Sequence, residues 1–196
     1  METKDILSRV RSALSMPDML PSLRRYFVNT IFDATFVMLG VVVGSAFAEE
    51  PHLSVIITTL LTSAVSLSIS TGSSVYEAES MEQGRRMDRL NRAMLTSMEK
   101  TDIGKSSRAG AGLIALFNSL APLLMGAIII SPFLIMGGSD IQTAAKVAIG
   151  LAITTLFVTG FIMGRIGSRN PWVRGARMAV IGVIAFVICY YIGGAV

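Results

Sequence analysis

A single acid, Asp33, interrupts the apolar stretch from Phe27 to Ala48. It stands about six residues in, or roughly 9 Å along a helix axis at 1.5 Å per residue. A carboxylate at such a depth costs on the order of 2–3 kcal/mol, so it must face protein, water or an ion. Ion or proton handling is the reading this favours. The plainer one is a carboxylate near the headgroups, hydrogen-bonded to a neighbouring helix. Asn29 and Thr30 lie one turn earlier and extend the polar patch toward the chain's N-terminal side.

A second polar series follows. Thr59, Thr62, Ser63, Ser66, Ser70, Ser73 and Ser74 recur every three or four residues, and Glu77 continues their face. Hydroxyls can replace the lost water ligands of an ion, and they also let helices pack closely. The arrival of this stripe at Glu77 favours a path. Glu77, Glu79, Met81 and Glu82 then crowd together, ahead of Met87, Leu90, Met94 and Met98, with Asp88, Glu99 and Asp102 nearby. Carboxylate and thioether donors suit a borderline divalent ion such as Fe(II). A Met/Leu stripe at helical spacing is also ordinary core, and seven basic residues in the same stretch repel a cation. His52 stands alone, Cys189 is the only cysteine, and no Walker loop, HExxH or GxSxG occurs. The chain is read as no enzyme, with no permanently bound cofactor.

These residues must be held by membrane-spanning helices. Of 196 residues, 52% are hydrophobic and 15% charged, against about 25% charged in soluble domains. Five apolar windows are long enough to cross a bilayer, at about 27–48, 53–76, 112–136, 144–164 and 178–196. The expected fold is all-α: a polytopic membrane protein of five transmembrane helices. Residues 1–24 form a cytosolic N-terminal segment and 25–196 the transmembrane domain. Residues 77–110 form a short cytosolic helical segment after the second span. Ile6, Val10 and Leu14 suggest an amphipathic N-terminal helix, ended by Pro17 and Pro21, and no cleavable signal peptide is expected. Sixteen of the seventeen Lys and Arg residues fall on alternate connections, with Lys146 the exception. By the positive-inside rule the N-terminus is cytosolic and the C-terminus lies on the far side. The net charge of +4 therefore describes one membrane face and not a nucleic-acid surface.

Small residues bear on assembly. Gly40 and Gly44 form one GxxxG pair, Gly160 and Gly164 another, and either pair allows close helix packing within a chain or between two. Asn118, Pro122 and Pro132 mark the third span as a kinked helix. Its freed carbonyls need new partners from neighbours, water or a ligand.

Several segments together resemble the vacuolar iron transporter family. Ile31-Phe32-Asp33-Ala34 running to Gly40-Val-Val-Val-Gly44 is similar to that family's first span. Gly126-Ala-Ile-Ile-Ile-Ser-Pro132-Phe133 is similar to its glycine-to-proline segment. Gly160-Phe-Ile-Met-Gly-Arg165, Arg169-Asn-Pro171, Arg174-Gly-Ala-Arg-Met178, Gly182 and Tyr191-Ile-Gly193 follow its last two spans in order. The second span departs from the family's Ser-Met-x-x-Gly-Glu-Tyr: with Gly72 as anchor, Ile69 and Ser73 occupy the Met and Glu positions.

The resemblance implies a five-span homodimer that exports Fe(II) or Mn(II) from the cytosol in exchange for protons. Asp33 would lie on the ion path with Asn29, Thr30, Ser66, Ser70 and Ser73. Glu77, Glu79, Met81 and Glu82 would collect metal with it. The partners would be a divalent metal, protons, the bilayer and a second copy, with no nucleic acid, in a prokaryotic cell membrane more readily than a vacuole. A non-transporting scaffold or regulator and an uncoupled cation channel are the alternatives.

Overall fold

The computed structural model describes residues 19–94, 102–136, 138, 140–167 and 170–193. Among them every regular element is an α-helix. These are α1 (Met19–Ala46), α2 (Leu53–Met94), α3 (Asp102–Met136), α4 (Ile141–Ile166) and α5 (Pro171–Gly193). Each contains a stretch long and apolar enough to cross a membrane. Residues 1–18, where the amphipathic helix was expected, lie outside the described residues.

The helix ends differ from the apolar windows for local reasons. Pro21 lies in the first turn of α1, where its missing N–H leaves no bond unmade. The second span and the segment after it are one helix, α2, of 42 residues. The run Glu77-Ala78-Glu79-Ser80-Met81-Glu82-Gln83 contains no breaker and several strong helix formers, so nothing stops the helix at the bilayer edge. Pro171 opens α5 seven residues before the apolar window, in keeping with proline's preference for a first turn. Asp140 caps α4, accepting from the backbone N–H of Thr143 at 3.0 Å and from its hydroxyl.

Both prolines of the third span lie inside α3. Proline at 132 removes the bond that the Ile128 carbonyl would accept from position 132. The hydroxyl of Ser131 donates to that carbonyl at 2.7 Å, so the freed acceptor is satisfied from within the helix and calls for no ligand.

The chain forms two compact units. One combines the described part of Met1–Phe27 with Ser68–Leu120, the other Val28–Leu67 with Ala121–Val196. The first has a small core of Val75, Ile114 and Ala115, flanked by Leu23, Tyr26 and Leu113. Its two long segments are held by close contact. A Cβ on Gly72 would come 3.1 Å from the Cβ of Ser119, and Ser68 donates its hydroxyl to the Ser119 carbonyl at 2.6 Å. The second unit has the larger core, in which Met38, Leu39, Val42 and Val43 of α1 meet Ile56 and Leu60 of α2, Ile129 and Phe133 of α3, and Ala144, Ala148 and Ala152 of α4.

In this second unit α4 and α5 form an antiparallel hairpin built on glycine. A Cβ on Gly164 would fall 2.6 Å from the Pro171 Cα, and one on Gly160 would fall 2.9 Å from the Arg174 carbonyl. From the other side, Gly175 meets Phe157 and Gly182 meets the Leu156 side chain. Gly160 and Gly164 therefore serve packing within the chain. Gly40 stands near Cys189, while nothing lies within 4 Å of a Cβ built on Gly44.

Gly164→Ala is expected to destabilise the detergent-solubilised protein by about 1–3 kcal/mol, because the added methyl meets backbone that cannot turn aside. Gly44→Ala should stay within about 0.5 kcal/mol of the parent. Thermal unfolding of the two variants checks the contrast.

A pH effect follows from the α4 cap. The Thr143 hydroxyl and backbone donors hold the Asp140 carboxyl below its usual value of 3.8. A depressed carboxylate contributes stability that is complete above the unfolded value and is lost as pH falls through the folded one. Hydrogen exchange in the first turn of α4 should accelerate as the pH falls below about 3.8. An Asp140→Asn variant, which keeps a capping oxygen, should lack that acceleration.

Candidate functional site

The core face of α1 fixes where Asp33 points. Ala34, Met38, Leu39, Val42, Val43 and Ala46 turn inward. Asn29, Asp33, Val37 and Gly44 fall on the other side and are exposed. Their spacing of four, four and seven is that of one helix face. Asn29 donates to the Asp33 carboxylate across one turn at a long 3.5 Å. Thr30, expected on this face, is instead buried. Asp33 lies eight residues after Arg25, about 12 Å along the axis. It is mid-helix, with Ala46 thirteen positions further on.

The hydroxyls of α2 divide into two sets. Thr59 donates to the Val55 carbonyl at 2.7 Å, Thr62 to the Thr58 carbonyl at 2.9 Å and Ser74 to the Thr71 carbonyl at 3.1 Å. Such bonds to the same helix satisfy a hydroxyl without a neighbour. Thr59, Thr62, Ser66, Ser70, Ser73, Ser74 and Glu77 all lie on exposed positions. The buried set falls every four residues: Ile56, Leu60, Ala64 and Ser68, extended by Gly72. Ala64, Ser68 and Gly72 are a small-xxx-small series, the pattern that brings helix backbones together. Its four-residue spacing is visible in the sequence, although a single glycine stands among its members.

The carboxylates after the second span are not gathered at one point. Glu77 and Met81 share a face one turn apart, and both are exposed. Arg85 approaches the Met81 sulfur at 3.8 Å. Glu82 is exposed, while Glu79 is only 5% accessible. Glu79 accepts from the Gln83 amide at 3.1 Å on the inward side. Met87 is buried, as core spacing suggests. Met98 and Glu99 lie outside the described residues, as does the Asp102 side chain. Among the described residues, no three His, Cys, Asp or Glu side chains come together to hold a metal ion.

An all-helical integral membrane protein with an outward-facing acid in its first span is the class these features define. The VIT family matches residues 77–194, well over half of the chain, and the chain belongs to that family. It is a family of membrane metal-ion transporters, not of enzymes. The chain is also similar to an uncharacterized protein of the archaeon Methanocaldococcus jannaschii, with 26% identity over 171 residues. That alignment covers 86% of this chain and 87% of the relative. The family match takes in the glycines of the α4–α5 hairpin, whereas Asp33 precedes it.

The two kinds of hydroxyl separate by mutation. Ser68→Ala should cost about 1 kcal/mol of stability, the usual worth of an intramolecular hydrogen bond. Ser70→Ala should cost close to nothing. Equal effects on thermal unfolding would mean that burial does not distinguish the two roles.

Proposed function

We propose that this protein is a secondary transporter that exports a divalent metal, Fe(II) or Mn(II), from the cytosol by proton antiport. It works as a homodimer in a prokaryotic cell membrane, with the N-terminus cytosolic and the C-terminus on the far side. Family membership supports metal transport. The observation that carries the site is Asp33, mid-helix and exposed on a face that also holds Asn29, Val37 and Gly44.

A carboxylate facing lipid at that position is too costly to persist. A second copy seated on this face, with water or an ion between the two, removes the cost. The bare Gly44 permits the backbones to approach there. A single chain's described residues hold no ligand cluster, which suits a site completed by two copies. Glu77 and Met81 offer oxygen and sulfur together at the cytosolic entrance, a donor pair suited to Fe(II). Asp33 is neutralised by a metal cation or by a proton. Competition between them couples the two fluxes. A membrane potential of 100 mV adds about 2.3 kcal/mol per net charge moved.

The test is flux in proteoliposomes that carry a metal reporter and a pH reporter. The parent should move Fe(II) or Mn(II) and protons in opposite directions, and Asp33→Ala should fall to background. Parent-level flux by Asp33→Ala would remove the site assignment. Metal flux without proton movement would mark a channel. The absence of both fluxes, with no thermal stabilisation by any divalent ion, would leave a scaffold.

A further inference from the structure

The second unit contains a cavity of about 660 Å³ unrelated to the carboxylates of α2. Its walls are of two kinds. Phe32 of α1, Met163 of α4 and Met178 of α5 are apolar, while Asn170, Arg174 and Arg177 bring an amide and two guanidinium groups to the same space. Arg174 is half-buried and Arg177 exposed. Among the described residues, no carboxylate is in ion-pair contact with either. Asp33 follows Phe32 in sequence but is not part of the lining. The first turn of α5 borders the cavity and adds the positive end of a helix.

Aromatic residues fix the depth of this cavity in the bilayer. Trp172 is 66% exposed and stands edge-on to Phe161, with ring centroids 5.1 Å apart. At the other end of α5, Tyr190 packs against Phe47 at 5.6 Å and Tyr191 is exposed. Nineteen residues separate Trp172 from Tyr191, about 28 Å of helix. That is close to the hydrocarbon thickness of about 30 Å. Tryptophan and tyrosine favour the two interfaces, so the turn of α5 that lines the cavity with Val173 and Arg174 is placed at headgroup level.

We propose that this cavity binds an anionic phospholipid. Its phosphate sits on Arg174 and Arg177, and its acyl chains run over Phe32, Met163 and Met178. Two guanidinium groups, with no ion-pair partner among the described residues, select negative charge. The apolar half of the wall selects a lipid over a free anion, because a bare phosphate would leave that surface unused. Phe32 belongs to the wall, so the bound lipid ties the α4–α5 hairpin to the helix that carries Asp33.

Trp172 is the only tryptophan of the chain and lies on the turn of α5 that brings Val173 and Arg174 to the cavity wall. The protein is reconstituted in phosphatidylcholine vesicles with a fixed fraction of phosphatidylglycerol. Bromine quenchers are placed on the acyl chains of one lipid or the other. At equal mole fraction, brominated phosphatidylglycerol should show a preference on the order of tenfold at Trp172, as expected for two arginines at a membrane surface. The Arg174→Gln/Arg177→Gln double variant should lose the preference. Met163→Trp cannot be used with this reporter, so Met163→Phe fills the cavity with both charges kept, and it should lower the preference as well. Arg92→Gln, on an exposed residue of α2, should leave it intact. Equal quenching by the two lipids overturns the proposal. So does a preference that survives the double variant, or one abolished by inorganic phosphate, which would assign the cavity to a free anion. Arg177→Gln alone guards against misfolding of the double variant, and a preference unchanged in it counts against the site.

Discussion

Close approach of helix backbones is the constraint on which this structure rests. Inside a bilayer an apolar side chain gains nothing by leaving its solvent, since lipid tails are as apolar as leucine. Helices then associate only where small residues let dispersion and hydrogen bonding act at short range. In this chain the places are specific: Gly160 and Gly164 against α5, Gly175 and Gly182 against α4, Gly126 against Ala64, and Gly72 against Ser119. Each is a position where a methyl group would meet an existing atom. The bulky apolar residues fill the space around these points.

This explains which polar groups are turned inward. A hydroxyl is small enough to sit at a close contact and can be satisfied there. Ser68 does so by bonding the Ser119 carbonyl, and Ser131 does so by serving the carbonyl that Pro132 leaves free. On the face of Asp33, the described residues offer its carboxylate one donor, Asn29 at 3.5 Å. Close packing thus satisfies Ser68 and Ser131 from within the chain and leaves Asp33 on the outward face of α1.

Much of this was legible in the sequence, and the gaps have physical causes. Five spans follow from hydropathy, because each helix needs about twenty apolar residues. The helix ends were not legible, since α2 continues through Glu77–Gln83 on propensity alone and apolarity says nothing about that. A GxxxG pair looks the same in chain packing and in a dimer contact, so the sequence does not distinguish the two for Gly160 and Gly164. Only the position of Pro171 and Arg174 beside them decides it. Thr30 and Glu79 stand one or two residues from exposed polar neighbours in the sequence, but a step of one or two residues turns a side chain by about 100° or 200° around a helix axis. The paired arginines at 174 and 177 were legible only as charge. Their shared cavity depends on Phe32, more than a hundred residues earlier in the chain.

The continuity of α2 has a consequence for the hydroxyl stripe. Ser66, Ser70, Ser73, Glu77 and Met81 follow one another at spacings of four, three, four and four. In an unbroken helix that spacing keeps them on one face, and all five are exposed. A break near the bilayer edge would have let the carboxylate end rotate independently of the hydroxyl end. Without one, the register between them is fixed by the helix itself. The buried series through Ala64, Ser68 and Gly72 occupies another face and pins that register. The order of these side chains along α2 is therefore set by the helix. The proline-bearing part of α3 is better suited to bend, because Pro122 and Pro132 have each removed a bond that would resist it.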